Sequence, residues 1–85
     1  EYTGHGVGRT MHEGPQVPNY GLPGRGMVLR PGLTIALEPM VLVGTPRTKV
    51  LSDQWTVVSI DGSHTAHYEH SVAVTEGKPL ILTQV

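Results

Sequence analysis

Short strands joined by turns and loops, with no helix of useful length, are the architecture that these 85 residues predict. Three observations carry this. An apolar run within Leu33–Val43 is interrupted by Glu38, and is apolar on both alternating faces, as a strand covered on both sides is. Trp55-Thr56-Val57-Val58-Ser59-Ile60 is a β-rich run that ends in Asp61-Gly62, a strong hairpin signal. Between Gly14 and Gly32, four prolines and five glycines leave no room for a regular element.

Taken in order, the chain begins with Gly4-His5-Gly6-Val7-Gly8-Arg9. The spacing G-x-G-x-G is not the G-x-G-x-x-G of a dinucleotide loop, and no helix can follow, because Gly14 and Pro15 break it. His12-Glu13 opens like H-E-x-x-H, but position 16 is Gln, so a zinc-protease helix is excluded. An extended segment remains, whose glycines let another backbone, a substrate or an ion come close to His5. Residues 14–32 read as a long irregular loop. Residues 33–43 read as a buried strand, 44–53 as a second loop and 55–60 as a strand. Thr65 to Val74 is extended, Glu76-Gly77-Lys78 is a turn, and Pro79 to Thr83 is a last strand. The final three strands are expected to form an antiparallel meander.

Composition narrows the function classes. A domain of this size buries only about 60 % of its unfolded surface and is marginal alone. Net charge is −1 with six Lys or Arg against seven Asp or Glu, and no basic run exists, so a nucleic-acid footprint is absent. No apolar stretch is long enough for a membrane-spanning helix. The absence of cysteine excludes disulfides and thiolate metal sites and fits a reducing compartment. Glu1 leads directly into motif-bearing sequence, and the chain is expected to lack the N-terminal half of its domain.

Glu38 lies inside an apolar run with no Lys or Arg nearby in sequence. It either emerges into solvent at a strand end or has a cation to offset its desolvation. Alternation places Thr65, His67, Glu69, Ser71 and Ala73 on one face of their strand, and Tyr68, His70, Val72 and Val74 on the other. Glu69 by itself fits a solvent-facing carboxylate. His5, Glu38 and Glu69 together make a nitrogen-and-oxygen set that suits Mn, Fe, Co or Zn. His64, His67 and His70, three residues apart, point to alternating faces and cannot share one site.

Gly4-His5-Gly6-Val7-Gly8-Arg9, His12-Glu13, Pro15 and Val17, then Glu38-Pro39-Met40, Trp55-Thr56-Val57-Val58 and Tyr68-Glu69-His70 resemble methionine aminopeptidase type I, blocks and spacings alike. Xaa-Pro peptidases share the ancestral fold, but they usually follow Glu-Pro with Gly and carry an Arg-Ile-Glu-Asp block near the end. Met40 and the segment Ala66–His70 stand in those places here.

The resemblance implies an α+β pita-bread fold, of which this chain is the C-terminal, mostly antiparallel β portion, with residues 1–85 part of one catalytic domain. It implies removal of the initiator methionine from nascent polypeptides by a dinuclear centre of divalent Co, Mn, Fe or Zn. His5 and Glu38 match ligands of one metal, and Glu69 matches the bridging ligand of both. Two aspartate ligands are expected upstream of Glu1. Glu38 also matches a proton-handling carboxylate, and His12 the histidine at the scissile carbonyl. Met11 and Trp55 match positions at the methionine pocket. His67 stands where relatives commonly carry Gln. A cytoplasmic monomer is implied, with the ribosome as a further partner and no activity in the 85-residue piece alone. The rival readings are a non-catalytic binding protein of the same fold, an Xaa-Pro peptidase relative, and an independent small β module.

Overall fold

The computed structural model describes residues 2–85, which hold nine short strands and no helix. In chain order these are β1 (Gly4–Gly6), β2 (Glu13–Val17), β3 (Thr34–Leu37), β4 (Met40–Leu42) and β5 (Thr48–Val50). β6 (Val57–Ser59), β7 (Thr65–His67), β8 (His70–Ala73) and β9 (Leu80–Ile81) follow. One sheet has the order β2-β1-β3-β8-β9, and β4-β7 and β5-β6 form two separate ribbons. Every pairing is antiparallel.

The expected single strand over residues 33–43 is two strands in two sheets, and so is the expected strand from Thr65 to Val74. Both breaks fall at one level. Thr34 pairs with Ala73 and Leu37 with His70; beyond the gap, Met40 pairs with His67 and Leu42 with Thr65. The offset is unchanged across the gap, so Glu38 lies opposite Glu69 and Pro39 opposite Tyr68. Pro39 has no N–H to give the ladder. Its carbonyl still accepts from the Tyr68 N–H at 3.3 Å. Residues 34–42 and 65–73 thus form one ribbon that opens at two facing glutamates. Neither half is covered on both sides: Ile35, Ala36 and Val72 are the buried apolar residues among those described.

The expected meander is not formed. Only β8 and β9 pair as consecutive strands there; β7 pairs with β4, and β6 turns back to β5. Asp61-Gly62 makes a turn, but its carboxylate serves a different purpose from closing a hairpin. Asp61 accepts from the hydroxyls of Ser59 (2.6 Å) and Ser63 (2.7 Å) and from the Ser63 N–H (2.9 Å). These bonds, Ser59 foremost, hold its carboxyl well below the usual carboxylate range. The same carboxylate packs on Gly44, where a Cβ would lie 2.0 Å from Asp61 Oδ2. The turn therefore seats against the segment just after β4 and delivers the chain into β7.

The expected loops also shrink. Residues 14–17 belong to β2, where Pro15 is tolerated because β2 is an edge strand. Residues 48–50, expected in a loop, form β5.

The glycines beside His5 answer to neighbouring strands. A Cβ on Gly4 would lie 2.2 Å from the Ala36 carbonyl oxygen, and one on Gly6 would lie 2.0 Å from that of Gly14. Backbone atoms cannot swing aside, so Gly6→Ala is expected to destabilise the full-length protein by about 1–3 kcal/mol, as overpacking does. A denaturant midpoint matching wild type would show that β1 and β2 separate without loss.

Candidate metal centre

His5 occupies the middle of β1, opposite Ala36 on one side and Gln16 on the other. Ala36 in turn faces Ser71. Register partners share a face, and so do residues two apart on a strand. Glu38 is two residues past Ala36 and Glu69 two before Ser71, so His5, Glu38 and Glu69 project to the same side. One ligand atom from each of the three lies within 4.8 Å of the others. The His5 and Glu38 side chains are 15 % and 18 % exposed, and Glu69 is exposed.

The tautomer of His5 follows from its partners. Nδ1 is 2.8 Å from the Gly6 carbonyl oxygen, which can only accept, so Nδ1 carries a proton. In a neutral ring Nε2 then presents a bare lone pair, and it points at Glu38 Oε2, 2.7 Å away. Two acceptors at this distance repel unless a proton or a cation lies between them. A second repulsion adds to this. The Glu38 and Glu69 carboxylates face each other across the ribbon, and like charges so placed repel. One imidazole nitrogen and two carboxylates, each turned toward the others, are a donor set that fits a divalent cation.

Around this set the backbone is anchored. Asn19 Nδ2 donates to the Glu38 carbonyl at 3.2 Å, which ties the long loop to the strand break. His67 Nε2 lies 3.4 Å from Glu38 Oε1, so each carboxylate oxygen has its own imidazole. His70 instead joins Tyr68 and Thr83, and the three histidines of the 64–70 stretch do not meet at one point.

His12 packs its ring on that of His5, with centroids 4.4 Å apart. It is carried by a tight turn that Glu13 closes: the Glu13 carboxylate accepts from the N–H and the hydroxyl of Thr10, at 3.0 and 3.1 Å. The Thr10 N–H is the first cause of a lowered Glu13 carboxyl pKa. A Cβ on Gly8 would lie 2.8 Å from Glu13 Oε1, so this glycine lets the carboxylate reach into the turn.

His5, His12, Gln16, Glu38, Met40 and His67 all border a cleft of about 490 Å³. Glu69 reaches the ligand cluster from beyond its rim. Met11 and Trp55 do not border it and are 73 % and 86 % exposed. A hollow of about 520 Å³ beside Lys49 and His64 holds no comparable ligand cluster among the described residues. Sequence reasoning assigned no part to Gln16, Thr10 or Glu13. Gln16 follows only from the register with His5, and the Thr10–Glu13 turn was readable as a short capping pattern.

Comparison with known proteins gives the family. Residues 1–76 match metallopeptidase family M24. The chain is 53 % identical over 85 residues to methionine aminopeptidase 1 of Bacillus subtilis, covering all of this chain and 34 % of that protein. It is 57 % identical over 83 residues to methionine aminopeptidase of Clostridium acetobutylicum, covering 98 % and 33 %. The crystal structure of methionine aminopeptidase from Thermotoga maritima superposes with a TM-score of 0.94 at 55 % identity, covering all of this chain and 34 % of that one. That of Rickettsia prowazekii gives 0.92 at 40 % identity, covering 99 % and 34 %. The chain thus spans about a third of the length of the relatives it matches.

Proposed function

The chain belongs to metallopeptidase family M24, and its strands are part of the pita-bread fold; on that premise we propose that the full-length protein is a methionine aminopeptidase. It removes the initiator methionine from new polypeptides. The observation that carries this reading is the pair Glu38 and Glu69, facing each other where the ribbon opens, with His5 beside them.

In this reading His5 and Glu38 would be ligands of one divalent ion and Glu69 a ligand shared by two, and two aspartates from the rest of the protein would complete the set. Divalent ions held there would supply an acidified water and a polarised scissile carbonyl. Glu38 accepts the proton of that water and returns it to the departing amine. His12, its ring tilted against that of His5, donates a hydrogen bond to the carbonyl oxygen as negative charge develops. Met11 and Trp55 contribute to the methionine pocket only together with surface from the remaining two thirds of the protein. Residues 1–85 are one part of a single catalytic domain. The partners are nascent polypeptide N-termini and the ribosome, for a monomeric enzyme in the cytoplasm. Among the described residues no helix is long and apolar enough to cross a membrane.

The test is release of free methionine from a peptide beginning Met-Gly by the metal-loaded full-length protein. Cleavage of Xaa-Pro peptides instead, or no cleavage with metal bound, overturns the assignment. In the same assay His12→Ala is expected to lower turnover roughly a hundredfold to a thousandfold, as loss of one oxyanion donor does, with metal stoichiometry unchanged. A lowered melting temperature with near-normal turnover would instead make His12 a structural residue of the Thr10–Glu13 turn.

A further inference from the structure

Glu69 sits where the ladder opens, between β7 and β8, so regular strand pairing does not fix it. The residues on either side are held by a separate set of bonds. Tyr68 and His70 both alternate to the face opposite Glu69, and their rings meet edge to face with centroids 5.0 Å apart. The Tyr68 hydroxyl is 3.0 Å from His70 Nε2, and His70 Nδ1 is 2.7 Å from Thr83 Oγ1. Thr83 Oγ1 also accepts from the Ser71 N–H at 3.1 Å. Thr83 is brought there by the strand before it, since the Leu82 N–H donates to the Ser71 carbonyl at 2.8 Å. On its other side, the Tyr68 N–H reaches the Pro39 carbonyl, next to Glu38.

A neutral imidazole has one donor and one acceptor nitrogen, and a hydroxyl can answer either. Both nitrogens of His70 are therefore engaged by side chains, which leaves none to bind a cation. The network runs from Thr83 through His70 and Tyr68 to the backbone beside Glu38, and Tyr68 and His70 flank Glu69 in sequence. Building on the metal reading above, we propose that Tyr68, His70 and Thr83 are positioning residues that fix the Glu69 carboxylate against its register partner Glu38. They act through Glu69 and touch neither ion nor substrate.

The test uses the full-length protein loaded with cobalt, whose visible absorption reports the ligand arrangement. Thr83→Val keeps the shape of the side chain but removes the hydroxyl that serves His70 and Ser71. It is expected to weaken cobalt binding about tenfold to a hundredfold, as loss of a ligand-orienting partner does, and to alter the visible bands. Thr83→Ser, which keeps the hydroxyl, is expected to restore both. Wild-type affinity and spectrum in folded Thr83→Val protein, whatever its melting temperature, overturn the proposal. Should Thr83→Val not fold, Tyr68→Phe decides by the same two readouts: a weakened, altered site supports the network and an unaltered one overturns it. A wild-type protein that binds no cobalt overturns the metal reading itself, a result separate from either variant's behaviour.

Discussion

Glu69→Ala in the full-length protein is expected to abolish both metal occupancy and peptidase turnover. The reason lies in the register. Among the described residues, Glu69 is the one whose register sets a carboxylate opposite Glu38, because the offset of the pairing is the same on both sides of the gap. Its removal leaves His5 Nε2 and Glu38 Oε2 facing each other without the carboxylate that completes their cluster. A proton can then take the place of a cation between them. His5→Ala is expected to be milder and to weaken mainly one of the two ions, since Glu38 and Glu69 still face each other. Calorimetric titration with Mn or Co separates the two variants by stoichiometry. Turnover and ion count equal to wild type in Glu69→Ala would remove Glu69 from the site.

The isolated 85-residue chain is expected to show no cooperative melt. Ile35, Ala36 and Val72 are the buried apolar side chains among the described residues, while Leu22, Met27, Val28, Leu29, Val41 and Val43 are all exposed. At about 25 cal/mol per Å² of apolar surface removed from water, three small contacts do not offset the ordering entropy of so many residues. β2 and β9 also present open sheet edges that invite association. Added metal is expected to rescue little, because the ligand set orders only the strand break and not the uncovered faces. Dispersed amide resonances and a sharp calorimetric transition from the chain alone would show that its strands suffice.

Much of the site was legible before the fold. Glu38 in an apolar run, Glu69 on the same face as His67, and His5 between glycines are all visible as residue types in unfavourable or permissive places. The alternation assigned from Thr65 to Val74 survives the break, which is why His67 reaches Glu38 while Tyr68 and His70 pair on the other side. What periodicity could not show was the break itself. Pro39 reads as a strand end, but that both strands open at the same level depends on their register, which is a property of the pair. The meander failed for a related reason. Asp61-Gly62 has hairpin chemistry, yet the Asp61 carboxylate is taken up by Ser59 and Ser63 and seats on Gly44, and β7 then finds β4. Glycines leave space for a substrate, an ion or another backbone; at Gly4 and Gly6 it is the neighbouring backbone that needs the space.

The most direct test of the central claim, that facing glutamates and His5 form a metal centre, is an anomalous-scattering map from crystals of the full-length protein grown with Mn. The expected map has its strongest peaks within coordination distance of His5 Nε2 and of the Glu38 and Glu69 carboxylates, with Glu69 contacting both ions. Peaks elsewhere, or a map without peaks in which His5 and Glu38 keep their 2.7 Å contact, would contradict it.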